Sequence, residues 1–188
     1  MLANTCLTDS VVTLSPPHAE DLQEIYIAVR ESLTELHPWM DWATDVYDFG
    51  SASRWFEHVQ QAWAHSSAFQ FAIKDAQSDQ FLGICGLDGI DKKSRCCNLS
   101  YWVRTGASGR GIATRAVRLV VRFCFQELGL VRAEIVIAAS NQSSQRVAQK
   151  VGARYEGTKN DGMVVRSEVH DAFLFSFSRA EFENVRSD

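Results

Sequence analysis

The fold of this chain is decided by the stretch Tyr101–Val121, which reads YWVRTGASGRGIATRAVRLVV. An apolar run ending at Val103 predicts a strand, a glycine-rich turn follows, and an amphipathic helix starts near Ile112. The N–H groups at a helix N-terminus are unpaired and partly positive, and glycines let an anion approach the backbone closely. The stretch therefore predicts an anion-binding turn.

The charge of this stretch is opposite to that of the whole chain. The formal net charge of the chain is -4, yet the segment from residue 104 to residue 122 contains no carboxylate. Its arginines are Arg104, Arg110, Arg115, Arg118 and Arg122. One such cluster in an acidic protein predicts a small anionic ligand and argues against direct nucleic-acid binding, which needs a broad basic face.

Length and composition predict one soluble domain that spans residues 1–188. The chain has 188 residues, of which 46% are hydrophobic and 22% are charged, as in ordinary globular proteins. We find no apolar run of the roughly 18 residues that span a membrane and no signal-like start, so we expect no membrane association and a cytoplasmic location. The five cysteines lack metal-ligand spacing, which predicts reduced thiols and no metal site.

Hydrophobic periodicity orders the elements around the opening stretch. A helix that begins at Ser15-Pro16-Pro17 and ends before Pro38 is predicted, and a second helix covers about 51–64. Further helices are predicted from Ile112 to Leu128 and from Asn141 to Gly152. The predicted strands are 8–15, 68–74, 80–90, 96–103, 131–138, 153–157 and 169–178, of which the second to fourth form an antiparallel meander.

The glycine turn Gly106–Gly111 does not fit two widespread phosphate motifs. It lacks the GK[ST] ending of a P-loop, and its GxxGxG spacing reverses the dinucleotide-binding order. A purely structural strand-to-helix turn is the remaining alternative, although three glycines beside Arg104 and Arg110 exceed what such a turn needs.

Several motifs together resemble the GNAT acyltransferase family. They are Tyr101-Trp102-Val103, Gly109-Arg110-Gly111-Ile112-Ala113-Thr114, Asn141-Gln142-Ser143-Ser144 and Val151-Gly152-Ala153-Arg154-Tyr155-Glu156-Gly157. Together with His37-Pro38-Trp39-Met40-Asp41-Trp42, they cover nearly the whole chain and are most similar to the Rim-type N-terminal acetyltransferases of ribosomal proteins. The resemblance implies an α+β fold whose mixed, mainly antiparallel central sheet is flanked by helices. The fourth and fifth strands of that sheet splay apart around the donor.

The resemblance also implies that acetyl-CoA is the co-substrate. In similar enzymes the N–H groups corresponding to about Gly109 to Ala113, a range that includes Arg110, Gly111 and Ile112, hold the pyrophosphate of coenzyme A. Thr114 is a further expected donor-binding residue. Arg104 and Arg110 are expected to flank it, while Trp102 and Val103 lie along the pantetheine arm. The chain departs from the family signature at Gly106, where glutamine or arginine is usual.

Asn141 and Ser144 have two readings. Asn and Ser at a helix start are common caps that contribute about 1 kcal/mol. In similar proteins the asparagine contacts the pantetheine arm and the serine lies near the thioester sulfur. Both residues are therefore candidate donor-binding and catalytic residues, with Ser144 as the proton donor to the departing thiolate.

The acceptor is expected to bind around His37, Trp39, Asp41 and Trp42, although the aromatic side chains can also be ordinary core residues. Asn98 stands where relatives often have glutamate. A downstream acidic position of the Rim branch falls near Met163, beside Asp161. The sequence thus offers no clear general base.

Three functions are compatible with these residues. The first is acetylation of a protein or peptide N-terminal α-amino group by direct attack, the second is acetylation of a small amine such as an antibiotic, polyamine or amino acid, and the third is non-catalytic acyl-CoA binding. An open groove favours the first function and a closed pocket with carboxylates favours the second. A homodimer is compatible with all three.

Overall fold

A computed structural model describes residues 5–184 of the chain. The predicted domain of 1–188 therefore includes two short terminal segments, 1–4 and 185–188, that lie outside the described residues.

The described residues form eight strands and six α-helices. The strands are β1 Leu7–Thr8, β2 Val12–Ser15, β3 Phe69–Asp75, β4 Phe81–Asp91, β5 Cys96–Val103, β6 Arg132–Ala138, β7 Arg154–Val165 and β8 Glu168–Ser178. The helices are α1 Leu22–Glu31, α2 Leu33–Leu36, α3 Phe49–His65, α4 Ile112–Gln126, α5 Gln142–Lys150 and α6 Arg179–Asn184.

All eight strands form one sheet in the order β1-β2-β3-β4-β5-β6-β8-β7. Every neighbouring pair is antiparallel except β5 and β6, which are parallel because α4 carries the chain back between them. This mixed, mainly antiparallel sheet with flanking helices is the fold that the sequence predicts.

Helices cover both faces of the sheet, as alternation along β4 shows. Ile84 packs in a cluster with Ile25 and Ala28 of α1, whereas its neighbour Cys85 belongs to the main core, which contains nine residues of α4. Successive side chains of a strand point to opposite faces. We therefore place α1 and α3 on one face of the sheet and α4 on the other.

β5 and β6 pair over only three residues. Their register runs from Cys96 opposite Arg132 to Asn98 opposite Glu134, after which both strands continue without pairing to each other. The predicted splay is therefore present, and it opens directly after Asn98.

Two N-terminal elements differ from the prediction because polar side chains interrupt them. The predicted strand 8–15 is divided into β1 and β2, since the Asp9 carboxylate accepts hydrogen bonds from the N–H groups of Val11 and Val12 and forms a turn. The predicted first helix is divided at Ser32, a buried residue whose hydroxyl accepts a hydrogen bond from the N–H of Thr105. This bond ties the helix pair to the glycine turn.

The C-terminal part contains more regular structure than predicted. β7 extends eight residues beyond its predicted end at Gly157, to Val165, and α6 was not predicted. The polar run Thr158–Gly162 is typical of a turn. As an exposed edge strand with two register shifts, however, β7 needs little apolar side-chain burial and leaves a weak sequence signal.

Glu156 forms a charged link across the C-terminal strands. It accepts two hydrogen bonds from Arg132 of β6, at 2.8 and 2.5 Å, and one from Ser176 of β8 at 2.7 Å. The hydrogen bonds from Arg132, followed by the one from Ser176, lower the pKa of Glu156 to about 2.

Replacement of Glu156 by glutamine is expected to remove an acid-sensitive part of the stability. A carboxyl group with a lowered pKa stabilises the fold above its unfolded pKa of about 4.3, and this contribution is lost as the pH falls towards 2. The free energy of unfolding of the wild type should exceed that of Glu156→Gln by about 1 kcal/mol at pH 6 and by almost nothing near pH 2. Urea titrations at each pH measure this difference. A difference that does not depend on pH would contradict this account.

Candidate active site

A cleft of about 670 Å³ lies where β5 and β6 diverge. We call it the β5–β6 cleft. Its walls comprise residues of both strands, of α5 and of the segment after α2, including Trp39, Ser100, Tyr101, Trp102, Val103, Ala113, Ile137, Asn141 and Ser144. Five of the residues predicted to bind the donor or to act in catalysis thus line one cleft, together with Trp39 of the predicted acceptor set; the five are Trp102, Val103, Ala113, Asn141 and Ser144.

The N-terminus of α4 adjoins this cleft and is open to a ligand. No side chain of the described residues caps it, whereas Asp48 caps α3 and Asn141 caps α5. Gly109 and Gly111 have φ values of 76° and 79°, a conformation that favours glycine, and a Cβ built on either residue meets nothing within 4 Å. The exposed backbone here is suited to hold a phosphate group.

The other residues of the predicted pyrophosphate turn have different surroundings. Arg110 is exposed at the turn, and Thr114 is half-buried on α4. Ile112 is a core residue with 2% exposure, so only its backbone can serve a ligand.

The Arg104 guanidinium does not face the cleft, contrary to the expectation that it flanks the pyrophosphate. It donates to both carboxylate oxygens of Glu31, at 2.7 and 2.6 Å, and to the carbonyl oxygen of Phe81 at 3.0 Å. These bonds lower the pKa of Glu31 and raise that of Arg104. Arg104 is thus a structural cation that joins β5 to α1.

Tyr101 and Ser144 form a hydroxyl pair in the middle of the cleft. The Tyr101 hydroxyl lies 2.9 Å from Ser144 Oγ and 3.0 Å from the Ser144 carbonyl oxygen. Burial raises the pKa of Tyr101 to about 12, although the hydrogen bond with Ser144 acts in the opposite direction. Tyr101 therefore keeps its proton at neutral pH and acts as a hydrogen-bond donor.

Asn141 caps α5, because its side-chain oxygen accepts a hydrogen bond from the N–H of Ser144 at 3.1 Å. Its amide group also lines the β5–β6 cleft. Capping fixes the position of Ser144 relative to β5, so the structural reading of Asn141 and a role in the site do not compete.

A second cavity of about 590 Å³ lies between the sheet and helices α1 and α3. We call it the aromatic cavity, since Trp42, Tyr47, Trp55 and Trp102 line it. Met40, Ser100, Tyr101 and Trp102 line both this cavity and the β5–β6 cleft. The two spaces therefore meet along β5.

The four predicted acceptor residues are distributed unevenly. Trp42 and Asp41 line the aromatic cavity and Trp39 lines the β5–β6 cleft. His37 lines neither space, and its Nδ1 lies 3.1 Å from the carbonyl oxygen of Ala43. The His37 side chain thus contacts the backbone of the loop that follows α2 and stabilises that loop.

Arg166 holds the loop that carries these residues. Arg166 and Ser167 form the two-residue turn between β7 and β8, with φ values of 52° and 65°. The Arg166 guanidinium donates to the carbonyl oxygens of His37 and Ala43, at 3.1 and 2.6 Å, and its N–H donates to Asp41 Oδ1 at 2.6 Å. No local sequence pattern indicates this contact, which spans more than 120 residues.

Asp88 is a further polar residue of the site that sequence reasoning missed. It lines the aromatic cavity from β4, opposite Asn98 of β5. A signal was available, because the turn-forming Asp91–Ser94 segment predicts a hairpin that brings Asp88 near Asn98. The one-residue register shift between Asp88 and Asp91, however, decides which residue lies opposite Asn98.

Within residues 5–184, no group of three or more His, Cys, Asp or Glu side chains is arranged to hold a metal ion. No helix in that range is long and apolar enough to cross a membrane.

Comparisons with known proteins agree with this geometry. The chain is 28% identical over 187 residues to "Putative ribosomal N-acetyltransferase YdaF" of Bacillus subtilis (strain 168), which covers 97% of this chain and 99% of that protein. The structure of RimL, titled a ribosomal L7/L12 alpha-N-protein acetyltransferase in complex with coenzyme A, gives a TM-score of 0.86 at 15% identity, over 93% of this chain and 98% of that one. The microcin C7 self-immunity acetyltransferase MccE, in complex with acetyl-CoA and AMP, gives 0.83 at 19% identity, over 90% and 93%.

The two structural likenesses show the fold, and the family is shown by a match to its sequence profile. The profile of the acetyltransferase (GNAT) domain matches residues 12–154, which include the glycine turn, the β5–β6 cleft and the cap of α5. The chain therefore belongs to the GNAT acetyltransferase family and is an acetyl-CoA-dependent N-acyltransferase.

Proposed function

We propose that this protein transfers the acetyl group of acetyl-CoA to the N-terminal α-amino group of a protein or peptide, by direct attack in the β5–β6 cleft. The observation that carries the proposal is the splay of β5 from β6, which places the open α4 N-terminus and the Tyr101–Ser144 pair along one cleft. The names of YdaF and RimL, which refer to ribosomal and ribosomal-protein acetylation, support this class of acceptor.

The reaction needs a neutral amine and a stabilised leaving group. The amine nitrogen attacks the thioester carbonyl carbon, the C–N bond forms, the C–S bond breaks, and the amine loses one proton to water. Ser144 gives its hydroxyl proton to the departing thiolate and regains one from solvent, while Tyr101 holds the Ser144 oxygen in place. General acid catalysis of this kind contributes roughly 100-fold or more.

An α-amino group suits a site without a strong base. Its pKa of about 7.7 to 8.0 leaves a useful neutral fraction at pH 7, whereas a lysine side chain near 10.4 is almost fully charged. The expected pH profile therefore rises through pH 7 to 8.

Acetyl-CoA is expected to stabilise the protein. At a ligand concentration 100 times its Kd, binding adds about 2.7 kcal/mol, which raises the Tm of a chain of this size by about 5 to 10 °C. Thermal shift and calorimetry measure this directly. Acetyl-pantetheine, which lacks the pyrophosphate, is the control ligand. Absence of stabilisation at millimolar acetyl-CoA would remove the basis of the proposed function.

A small-molecule amine is the second candidate acceptor. It is favoured by the aromatic cavity, which lies between the sheet and helices α1 and α3 and has Asp41 and Asp88 in its lining. Release of coenzyme A in the presence of peptides and small amines distinguishes the two candidates, since a peptide acetyltransferase acts faster on the peptides.

A further inference from the structure

The aromatic cavity has a polar end beside the β5–β6 cleft. Asp88 lies opposite Asn98, which is the last β5 residue that pairs with β6. Ser100, which donates to Asp88, lines both the cavity and the cleft. The Asp88 carboxylate therefore lies close to where the aromatic cavity meets the β5–β6 cleft.

Asp88 is held in a fixed orientation by neutral donors. Asn98 Nδ2 donates to its Oδ1 at 3.0 Å and Ser100 Oγ donates to its Oδ2 at 3.2 Å. Among the described residues, no lysine, arginine or histidine forms an ion pair with Asp88. Its negative charge is thus oriented but has no cationic partner, as expected for a group that receives a cation from a ligand.

Away from this end, the walls of the cavity are mainly apolar. Trp42, Trp55 and Trp102 contribute large aromatic surfaces, and Val29 and Ile84 add aliphatic ones. The volume of about 590 Å³ lies within the usual range of small-ligand sites. Such walls stabilise an apolar group that leaves water.

The charges of the cavity exclude one group of amines. Asp41 and Asp88 are among its lining residues together with His58, whereas no lysine or arginine is. An acceptor with a free carboxylate or phosphate would bury that anion in a cavity with two carboxylates and no lysine or arginine, which is unfavourable. A peptide N-terminus lacks this problem because its carboxyl group is an amide.

We propose that the aromatic cavity binds the acceptor as a primary amine that carries a bulky apolar group, in a peptide an N-terminal leucine, methionine or phenylalanine. The ammonium group pairs with Asp88 and then loses a proton to water before it attacks. The apolar group lies against the tryptophan walls. This inference rests on the proposed function and names the acceptor class of that site.

A panel of C-terminally amidated peptides that differ only in the first residue tests the inference, with kcat/KM from coenzyme A release. Leucine and phenylalanine peptides are expected to exceed alanine, serine and aspartate peptides by about tenfold or more. Leucinamide is expected to be acetylated and free leucine to be at least tenfold poorer, because of its carboxylate. Equal or higher kcat/KM for alanine or serine would overturn the inference.

Two variants separate the binding of the ammonium group from the binding of the apolar group. Asp88→Asn keeps the shape and a hydrogen bond with Asn98, and is expected to lower kcat/KM for the leucine peptide about 100-fold without changing the Kd of acetyl-CoA. Trp55→Ala is expected to lower kcat/KM for the leucine peptide several-fold more than kcat/KM for the alanine peptide, because it removes part of the apolar wall. Glu127→Gln, which removes a carboxylate at the exposed end of α4, is the matched control and should behave as wild type.

The outcomes distinguish the inference from the proposed function. If acetyl-CoA does not bind to the wild type, the proposed function fails. If acetyl-CoA binds and peptides are acetylated, but Asp88→Asn retains full kcat/KM or small N-terminal residues are preferred, only the acceptor assignment fails. The peptide panel on the wild type decides the matter even if a variant does not fold.

Discussion

Replacing Ser144 with alanine is expected to lower kcat about 100-fold and to leave the Kd of acetyl-CoA unchanged. The reason is that its hydroxyl is the proton donor held by Tyr101 at 2.9 Å, while its backbone N–H still donates to the capping Asn141 Oδ1. Steady-state kinetics with the preferred peptide and calorimetry with acetyl-CoA measure the two quantities separately. Unchanged kcat would reduce Ser144 to a residue of the helix cap.

The partner residue gives an independent check. Tyr101→Phe removes the hydroxyl that orients Ser144, so we expect a loss of kcat about as large as that of Ser144→Ala. The double variant should lose little more than either single one, because the two hydroxyls act as a unit. Ser140→Ala, an exposed serine just before the cap of α5, is the matched control.

Replacing Arg104 with alanine is expected to lower the free energy of unfolding by about 3 kcal/mol. The substitution leaves the Glu31 carboxylate without its bidentate partner and the Phe81 carbonyl oxygen without its Arg104 donor. A loss of this size lowers the Tm by about 6 to 12 °C. Urea and thermal unfolding measure it, and the Kd of acetyl-CoA, determined well below the Tm, should change less than about twofold.

Arg110 is the matched comparison for Arg104. It is exposed at the glycine turn, so Arg110→Ala should leave the Tm unchanged and weaken acetyl-CoA binding by up to about fivefold. The opposite pattern, in which Arg104→Ala keeps the Tm but weakens acetyl-CoA binding, would show that Arg104 contacts the pyrophosphate after all.

Local patterns predicted the fold because the decisive signals are short in sequence. The bounds of β5 agree with those of the predicted strand at 96–103, and α4 starts at Ile112 as its periodicity indicates. The splay of β5 from β6 followed from the family resemblance and is present after Asn98. The part of β7 from 158 to 165 was missed, since this exposed edge strand begins with the polar run Thr158–Gly162 and carries no apolar alternation.

The candidate site was predictable only in part. Trp102, Asn141 and Ser144 lie in the β5–β6 cleft, because each belongs to a motif with local geometry, a strand or a helix cap. Arg104 was assigned to the donor from its place beside the glycines. Its partner Glu31 lies 73 residues away, and no local pattern indicates that contact.

The sequence by itself determined the elements around the glycine turn, the donor class and the family, since these depend on short spacings and backbone conformation. Only the tertiary structure decided that Arg104 pairs with Glu31, that Arg166 holds the loop of Asp41, and that Asp88 lies opposite Asn98. The last of these depends on a one-residue register shift next to Gly89, which has a φ of 57°. A shift of one residue exchanges the two faces of a strand, so the side of the sheet that receives this carboxylate is settled by packing, and not by composition.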